Sequence, residues 1–172
     1  VVPRTTSVVA HDAGVDAAVW LLNCLENDDL DRRLLLMEWV KLLLERPALI
    51  EPLCLVDILI RRSADDHQEV ASKVILCLAR LLEFDEEQGL QVAQRLHERK
   101  ELLIRRGMAD VLTRIFRRTG WKAVPFLDEM LEDEDESVLA AASATVGDLK
   151  FLDEDVWADR LVSLLDHDVA IV

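Results

Sequence analysis

The 172-residue chain has no tyrosine, and glycine and proline are scarce, at 5 and 4 residues. Strand-rich folds with frequent tight turns draw on glycine and proline, so the shortage argues against an all-β architecture. Val and Ile, the strand formers present, fall at helical spacing rather than in alternation. Cys24, Cys54 and Cys77 are odd in number, widely spaced and set in apolar runs, which excludes a disulfide framework and a thiol metal knuckle. Buried thiols in a reducing, cytoplasmic compartment are expected instead. There is no run of 18 apolar residues and no basic start followed by an apolar core, so neither a membrane span nor a signal peptide is expected. Phosphate-binding glycine loops, HExxH and Gly-x-Ser-x-Gly are also missing.

What is present suits helices. Leu dominates, and Ala, Arg and Glu are plentiful beside Val and Asp; Leu, Ala, Arg and Glu are good helix formers. Apolar residues make up 51%, enough to bury a core and exclude disorder. The formal net charge is -14, an excess that repels phosphate backbones on average and attracts basic partners. Many acids with few lysines beside arginine also fit adaptation to a high-salt host.

The apolar residues recur at a step of thirty-four. Leu36, Val70, Ile104, Val138 and Val172 share one register; Val40, Val74, Met108 and Ala142 share the next, and Leu44, Leu78, Leu112 and Val146 a third. Leu43, Cys77, Val111 and Thr145 run beside them. A second series, Leu22, Val56, Leu90, Val124 and Ala158, is flanked by Leu25, Leu59, Ala93, Leu127 and Leu161. Within each copy the spacing of three and four marks one face of a helix. Each unit of thirty-four therefore holds two helices, as a stacked array requires. First helices are expected near Val15–Leu25, Pro52–Arg61, Glu86–Glu98, Lys122–Glu132 and Glu154–Leu165. Second helices are expected near Leu30–Leu44, Gln68–Phe84, Lys100–Arg118 and Ser137–Leu149. Acids at Asp28–Asp29, Asp65–Asp66 and Asp133–Asp135 stand where N-caps belong, and Gly120 stands at a helix stop. Small residues around Gly147 would let two helix backbones approach closely. Short connections force antiparallel neighbours. The expected fold is all-α, a right-handed α–α superhelix of four to five antiparallel helix pairs over residues 13–172, after an N-terminal tail or linker at 1–12. Val172 falls a few residues into a further second helix, so the chain reads as a fragment of a longer array or as one whose order ends there.

The segment Asp133 to Leu149 carries an acid turn, then Val138, Ala142, and Val146-Gly147 with Leu149 closing it. It resembles the second helix of HEAT and armadillo-type repeats. Asp65 to Val74 follows that pattern more loosely, and Leu161 to Val172 resembles a first helix, a turn and the next start. The resemblance spans Val15 to Val172. The arginine common after the valine is missing, with Ala71 and Leu139 in its place. The resemblance implies a partner-binding solenoid. A tetratricopeptide array shares the period, but Trp20 and Trp121 lack its Leu-Gly and Tyr followers. A compact helical bundle is the other all-α alternative.

Chemistry is hard to find. His11, His67, His97 and His167 lack partners at metal-ligand spacing. The HEAT-built deoxyhypusine hydroxylases depend on paired His-Glu motifs, and here only His97-Glu98 occurs. Acid pairs such as Asp28/Asp29 and Glu86/Glu87 fall at expected turns, where capping explains them. Asp128–Glu136 holds seven acids in nine residues, without the alternating ligands and central glycine of an EF-hand loop. No metal, cofactor or catalytic residue is assigned, and a non-enzyme is expected. The uneven feature is basic: from Arg95 to Lys122 nine basic residues face three acidic ones, +6 in a chain that is otherwise -20. On a helical wheel Arg99, Arg106 and Arg117 align, with Arg114 adjacent and Arg118 beside them. Those five are the candidate contacts for a protein or peptide with an acidic segment, or for a phosphate-bearing partner. A solvated face paired with neighbouring acids is the plainer alternative. Duplex binding would need basic residues on several repeats, which disfavours nucleic acid. Trp20, Trp39, Trp121 and Trp157, one per element, are expected to fill gaps between helices, and an exposed one would be a binding anchor.

Overall fold

The computed structural model describes residues 5–26, 28–151 and 154–165, with side chains from 14 to 162 in those ranges except 154 and 156. Every regular element among them is helical, as the all-α reading requires. In chain order they are α1 (Thr5–Leu25), α2 (Leu30–Leu44), α3 (Pro47–Ile50), α4 (Leu55–Ser63), α5 (Gln68–Ile75) and α6 (Leu78–Phe84). Then come α7 (Glu86–His97), α8 (Leu102–Thr119), α9 (Val124–Met130), α10 (Glu136–Leu149) and α11 (Glu154–Leu165). A short 3-10 turn, Gly120–Ala123, joins α8 to α9.

Local chemistry sets the boundaries. Asp29 accepts from the Arg32 backbone N–H at 3.0 Å and opens α2; Asp85 accepts from that of Gln88 at 3.0 Å and opens α7. Asp135 accepts from the Ser137 N–H at 2.9 Å and opens α10. Each meets a donor the helix itself leaves unpaired. Gly120, at φ 57, ends α8, in a region a side chain would resist. The N-cap positions His67, Glu101 and Asp135 fall thirty-four residues apart.

Several boundaries differ from expectation. α1 begins at Thr5 rather than near Val15 and takes in most of the segment read as a tail. Pro47, not Pro52, occupies a first helical turn. The chain then turns through Cys54, whose φ of 50 is left-handed, before α4 starts. The single helix expected over Gln68–Phe84 is two. The Cys77 N–H donates to the Val74 carbonyl at 2.9 Å, three residues back rather than four, and the tightened turn separates α5 from α6. α8 starts at Leu102, which leaves Arg99 and Lys100 off the helix. The turn with His167 and the expected further helix near Val172 lie outside the described residues.

The chain divides into two compact units, Val1–Cys77 and Leu78–Val172. In the first, α2 packs on α1, α3 and α5, and α4 packs on α5. In the second, α7 packs on α6 and α8; α8 also meets α6, α9 and α10; and α10 meets α9 and α11. Within each unit most register positions read from the sequence form the core, while Leu43, Val56 and Leu90 are half-buried and Ala158 and Leu161 are exposed. Leu36, Val70, Ile104 and Val138 are each at 0% exposure, and so are Val40, Val74, Met108 and Ala142. Leu25, Leu59, Ala93 and Leu127 are buried as well. Polar contacts inside each unit span nearly the same interval. Glu38 meets Lys73, Thr113 meets Thr145, Arg117 meets Asp148 and Asp128 meets Arg160.

Two glycines differ in purpose. A Cβ on Gly89 would lie 2.6 Å from Leu82 Cδ2 and 3.1 Å from Leu82 Cα, so its hydrogen is what lets α7 close on α6. Gly147 has open space where a Cβ would go, so the close backbone approach expected there is absent.

Candidate functional site

The outward face of α2 departs from the usual surface of a helix. Amphipathic surface helices keep one side polar. On α2, Leu36, Met37, Val40 and Leu44 are buried inward. Yet Leu35, Trp39 and Leu42, at steps of four and three along the opposite side, are exposed at 48%, 41% and 64%. Leu76, one interval on from Leu42, is exposed at 50%. Large apolar side chains at this spacing form a ridge rather than a scatter.

The ridge sits on a fixed support. The Glu38 carboxylate binds Lys73 Nζ of α5 at 2.5 Å, beside Trp39 in sequence. On the inner side, Arg33 is buried and donates to Asp65 at 2.8 Å and to Asp66 at 2.9 Å. Asp65, with no exposed side-chain surface, also accepts from Arg62 at 2.8 Å and from the His67 backbone N–H at 3.0 Å. Arg61 and Arg62 both reach Glu26 at the end of α1, at 2.8 and 2.9 Å. This chain of charges ties α1, α2, α4 and the α4–α5 turn together. It also holds Asp66 ionised, since the Arg33 hydrogen bond lowers its carboxyl to about 2. Burial acts against ionisation at Glu26, but Arg61 and Arg62 outweigh it and leave that carboxyl below its ordinary value.

The five arginines singled out from the sequence do not form one stripe. Arg99 lies before α8 and folds onto Glu101, whose carboxyl it lowers to about 2. Arg106, near the start of α8, binds Asp110 at 3.0 Å and the Ser137 carbonyl. Arg114, Arg117 and Arg118 do come together in the last turns of α8. There Arg117 pairs with Asp148 of α10 at 2.9 Å, which raises its pKa, while 70% of its side chain stays exposed. Arg118 reaches the Glu83 carbonyl at 3.5 Å. Arg114 is exposed and has no hydrogen bond or ion pair among the described residues. The acidic stretch is engaged in the same way. Asp128 binds Arg160 at 2.7 Å, Glu129 binds His97 at 2.7 Å and Asp133 binds Arg105 at 3.0 Å.

Three of the four tryptophans correct the gap-filling expectation, and Trp157 is half-buried. Trp20, Trp39 and Trp121 are exposed, at 68%, 41% and 50%. Two of the three cysteines also differ from expectation: Cys24 and Cys54 are exposed and only Cys77 is buried. Burial pushes the Cys77 thiol up to about 12. Concavities are modest. His97, Arg105, Glu129, Met130 and Asp133 line about 140 Å³, and His97 stands edge-on to Phe126 at 5.1 Å. Another of about 150 Å³ lies between α1 and α4, lined by Val19, Leu22, Cys54 and Ile58 among others. An open groove of about 630 Å³ runs along α7 past Leu90, Gln91 and Gln94 to Lys122, which binds Glu86. No described helix is long and apolar enough to cross a membrane, and no group of three or more His, Cys, Asp or Glu among the described residues is placed to hold a metal.

Sequence reasoning missed the ridge because Leu35, Trp39 and Leu42 resemble core residues. A signal was present in the register. At the place of Trp39 the later copies carry Lys73, Gly107 and Ala141, and at the place of Leu35 two of the three carry Glu69 and Ser137.

The sequence matches no family model and no curated protein. The structure is similar to the crystal structure of an engineered protein, a Northeast Structural Genomics Consortium target, with a TM-score of 0.58 at 16% identity. The match covers 96% of this chain and 77% of that one. At that identity the likeness is one of fold alone.

Proposed function

We propose that this chain is a non-catalytic protein–protein interaction module, built as a HEAT/armadillo-like right-handed solenoid, that docks a helical segment on the α2 ridge. The solenoid reading is supported by equal burial along the Leu36 and Val40 registers and by polar contacts at nearly the same thirty-four-residue separation within each unit. The docking reading is carried by one observation: Leu35, Trp39 and Leu42 line the outward face of a helix whose inward face is already buried. A tryptophan among leucines on a rigid helix is the composition of an interface anchor, and an amphipathic helix reads such a surface through its own i, i+4, i+7 side chains. Exposed, unbridged Cys24 and Cys54 fit a reducing, cytoplasmic setting.

Selection of helical peptides against the immobilised chain tests this. Enriched sequences should carry apolar residues at helical spacing and lose binding to Trp39→Glu and Leu42→Glu, while Trp121→Ala leaves binding intact. Ligands indifferent to both ridge substitutions would remove the ridge from contention. A second reading has its own observation, the exposed Arg114 beside Arg117 and Arg118, which suits an acidic peptide or a phosphate-bearing ligand. Ligands of that kind would be acidic and would lose affinity to Arg114→Glu with Arg117→Glu. Duplex nucleic acid would in addition show a steep fall of affinity with salt.

A further inference from the structure

On α2, charge is sorted as well as hydrophobicity. Asp31, Glu38 and Glu45 follow at seven-residue steps along one side of the Leu35–Leu42 line. Arg32 and Trp39 follow at the same step along the other side, and Arg46, just past the helix end, continues that row. All six are exposed. The acid side is the α5 side, because Glu38 binds Lys73 there. A step of seven is the spacing at which two helices keep one seam in register along a shallow crossing.

We propose that the occupant of the ridge is a second copy of this chain, paired through α2 in parallel, with Leu35 and Leu42 against their own counterparts and Trp39 reaching across to the partner's α5 flank. The proposal rests on the ridge being a docking surface, and it names the partner. Parallel two-fold pairing turns the acid side of one helix toward the basic side of the other. Asp31 then approaches the partner's Arg32, and Glu45 the partner's Arg46. Antiparallel pairing would set acid beside acid and arginine beside arginine. An isologous interface must be self-complementary, and this surface is so in one orientation. Leu76 and Lys73 lie on the flank that receives the partner helix, where Lys73 would stand near the partner's Trp39. Four half-exposed apolar side chains amount to a few hundred Å² per copy, so the interface falls below about 1,200 Å² in total, the range of weak, reversible association.

Sedimentation equilibrium of the full chain, from about 5 µM to about 500 µM in low salt, reads this range directly. The mass should rise from 19.5 kDa toward twice that value. Trp39→Glu with Leu42→Glu should stay monomeric throughout, with an unchanged circular dichroism spectrum. Arg32→Glu with Arg46→Glu should weaken self-association about tenfold. Asp31→Lys with Glu45→Lys should do the same, and an equal mixture of the two variants should recover the association. Orientation is read in a Cys24→Ser, Cys54→Ser background, where Leu35→Cys should oxidise to a dimer with itself. Crosslinking only between Leu35→Cys and Leu42→Cys chains would place the helices antiparallel and overturn the proposal. A chain that is monomeric at every concentration overturns it too, while leaving the docking reading to the peptide selection. A dimer indifferent to the ridge substitutions places self-association elsewhere and equally overturns it.

Discussion

The fold of the first unit depends on a buried carboxylate that no apolar pattern announces. Asp65 has no exposed side-chain surface and accepts from Arg33, Arg62 and the His67 N–H, at 2.8, 2.8 and 3.0 Å. Asp65→Ala would leave the Arg33 guanidinium, itself only 9% exposed, without its buried partner. It would also take a carboxylate from Arg62 and an acceptor from the turn. Breaking a buried pair by removing one member costs about 3–5 kcal/mol. Here the cost falls to about 2–3 kcal/mol, at or just below that range, because Arg33 keeps its bond to the solvent-facing Asp66 and Arg62 keeps Glu26. For a chain of this size that corresponds to a fall in Tm of about 5–10 °C. Urea denaturation followed by circular dichroism gives the free energy, and calorimetry gives Tm. Asp66→Ala is the matched control, since its carboxylate lies in water, and it should cost clearly less. Asp65→Ala within about 0.5 kcal/mol of wild type, or Asp65→Ala and Asp66→Ala equal in effect, would refute the claim that this charge network holds α1, α2 and α4 together.

Other outcomes follow from the packing and burial of single side chains. Gly89→Ala should destabilise by about 1–3 kcal/mol, because the added methyl meets Leu82, whereas Gly147→Ala should stabilise by up to about 1 kcal/mol, and urea midpoints check both signs. A thiol reagent should modify Cys24 and Cys54 in the folded chain and reach Cys77 only on unfolding, so a stoichiometry of three in native buffer would contradict the burial of Cys77. The carboxyls of Asp66 and Glu101 are held near 2, below their ordinary 3.8 and 4.5. Their contribution is therefore complete above the unfolded-state values and drains away as pH falls toward about 2. The stability difference between wild type and Asp66→Asn with Glu101→Gln should shrink across that window, and a difference that grows on acidification would reverse the assigned sign.

Much of the fold was legible because helix chemistry is local. α2 was bounded to the residue by Asp29 before it and the polar Glu45–Arg46 after it, and Gly120 marked the end of α8. The registers of Leu36 and Val40 mapped onto fully buried positions because burial repeats wherever packing repeats, whereas that of Leu22 runs out to half-buried Val56 and Leu90 and exposed Ala158. The Leu76–Cys77 break was not legible, since nothing in that run of helix formers shows where a hydrogen bond shortens. The ridge was hidden for a related reason. A helix written Leu-Leu-Leu-Met-Glu-Trp-Val carries apolar residues on every side, and pattern alone cannot say which side a neighbour covers. The arginines were legible as charges but not as partners. Reading the wheel one residue before the expected start at Lys100 took in Arg99, while the chain bends it back onto Glu101. Asp148, the partner of Arg117, lies on another helix.

Methyl-resolved NMR of the leucine-labelled chain, titrated with a helical peptide from the selection, tests the docking claim most directly. Shifts should concentrate at Leu35, Leu42 and Leu76, with Leu36 and Leu112 in the core unmoved. Shifts confined to leucines of the second unit near Arg114 and Arg117, with the three ridge methyls silent, would contradict it.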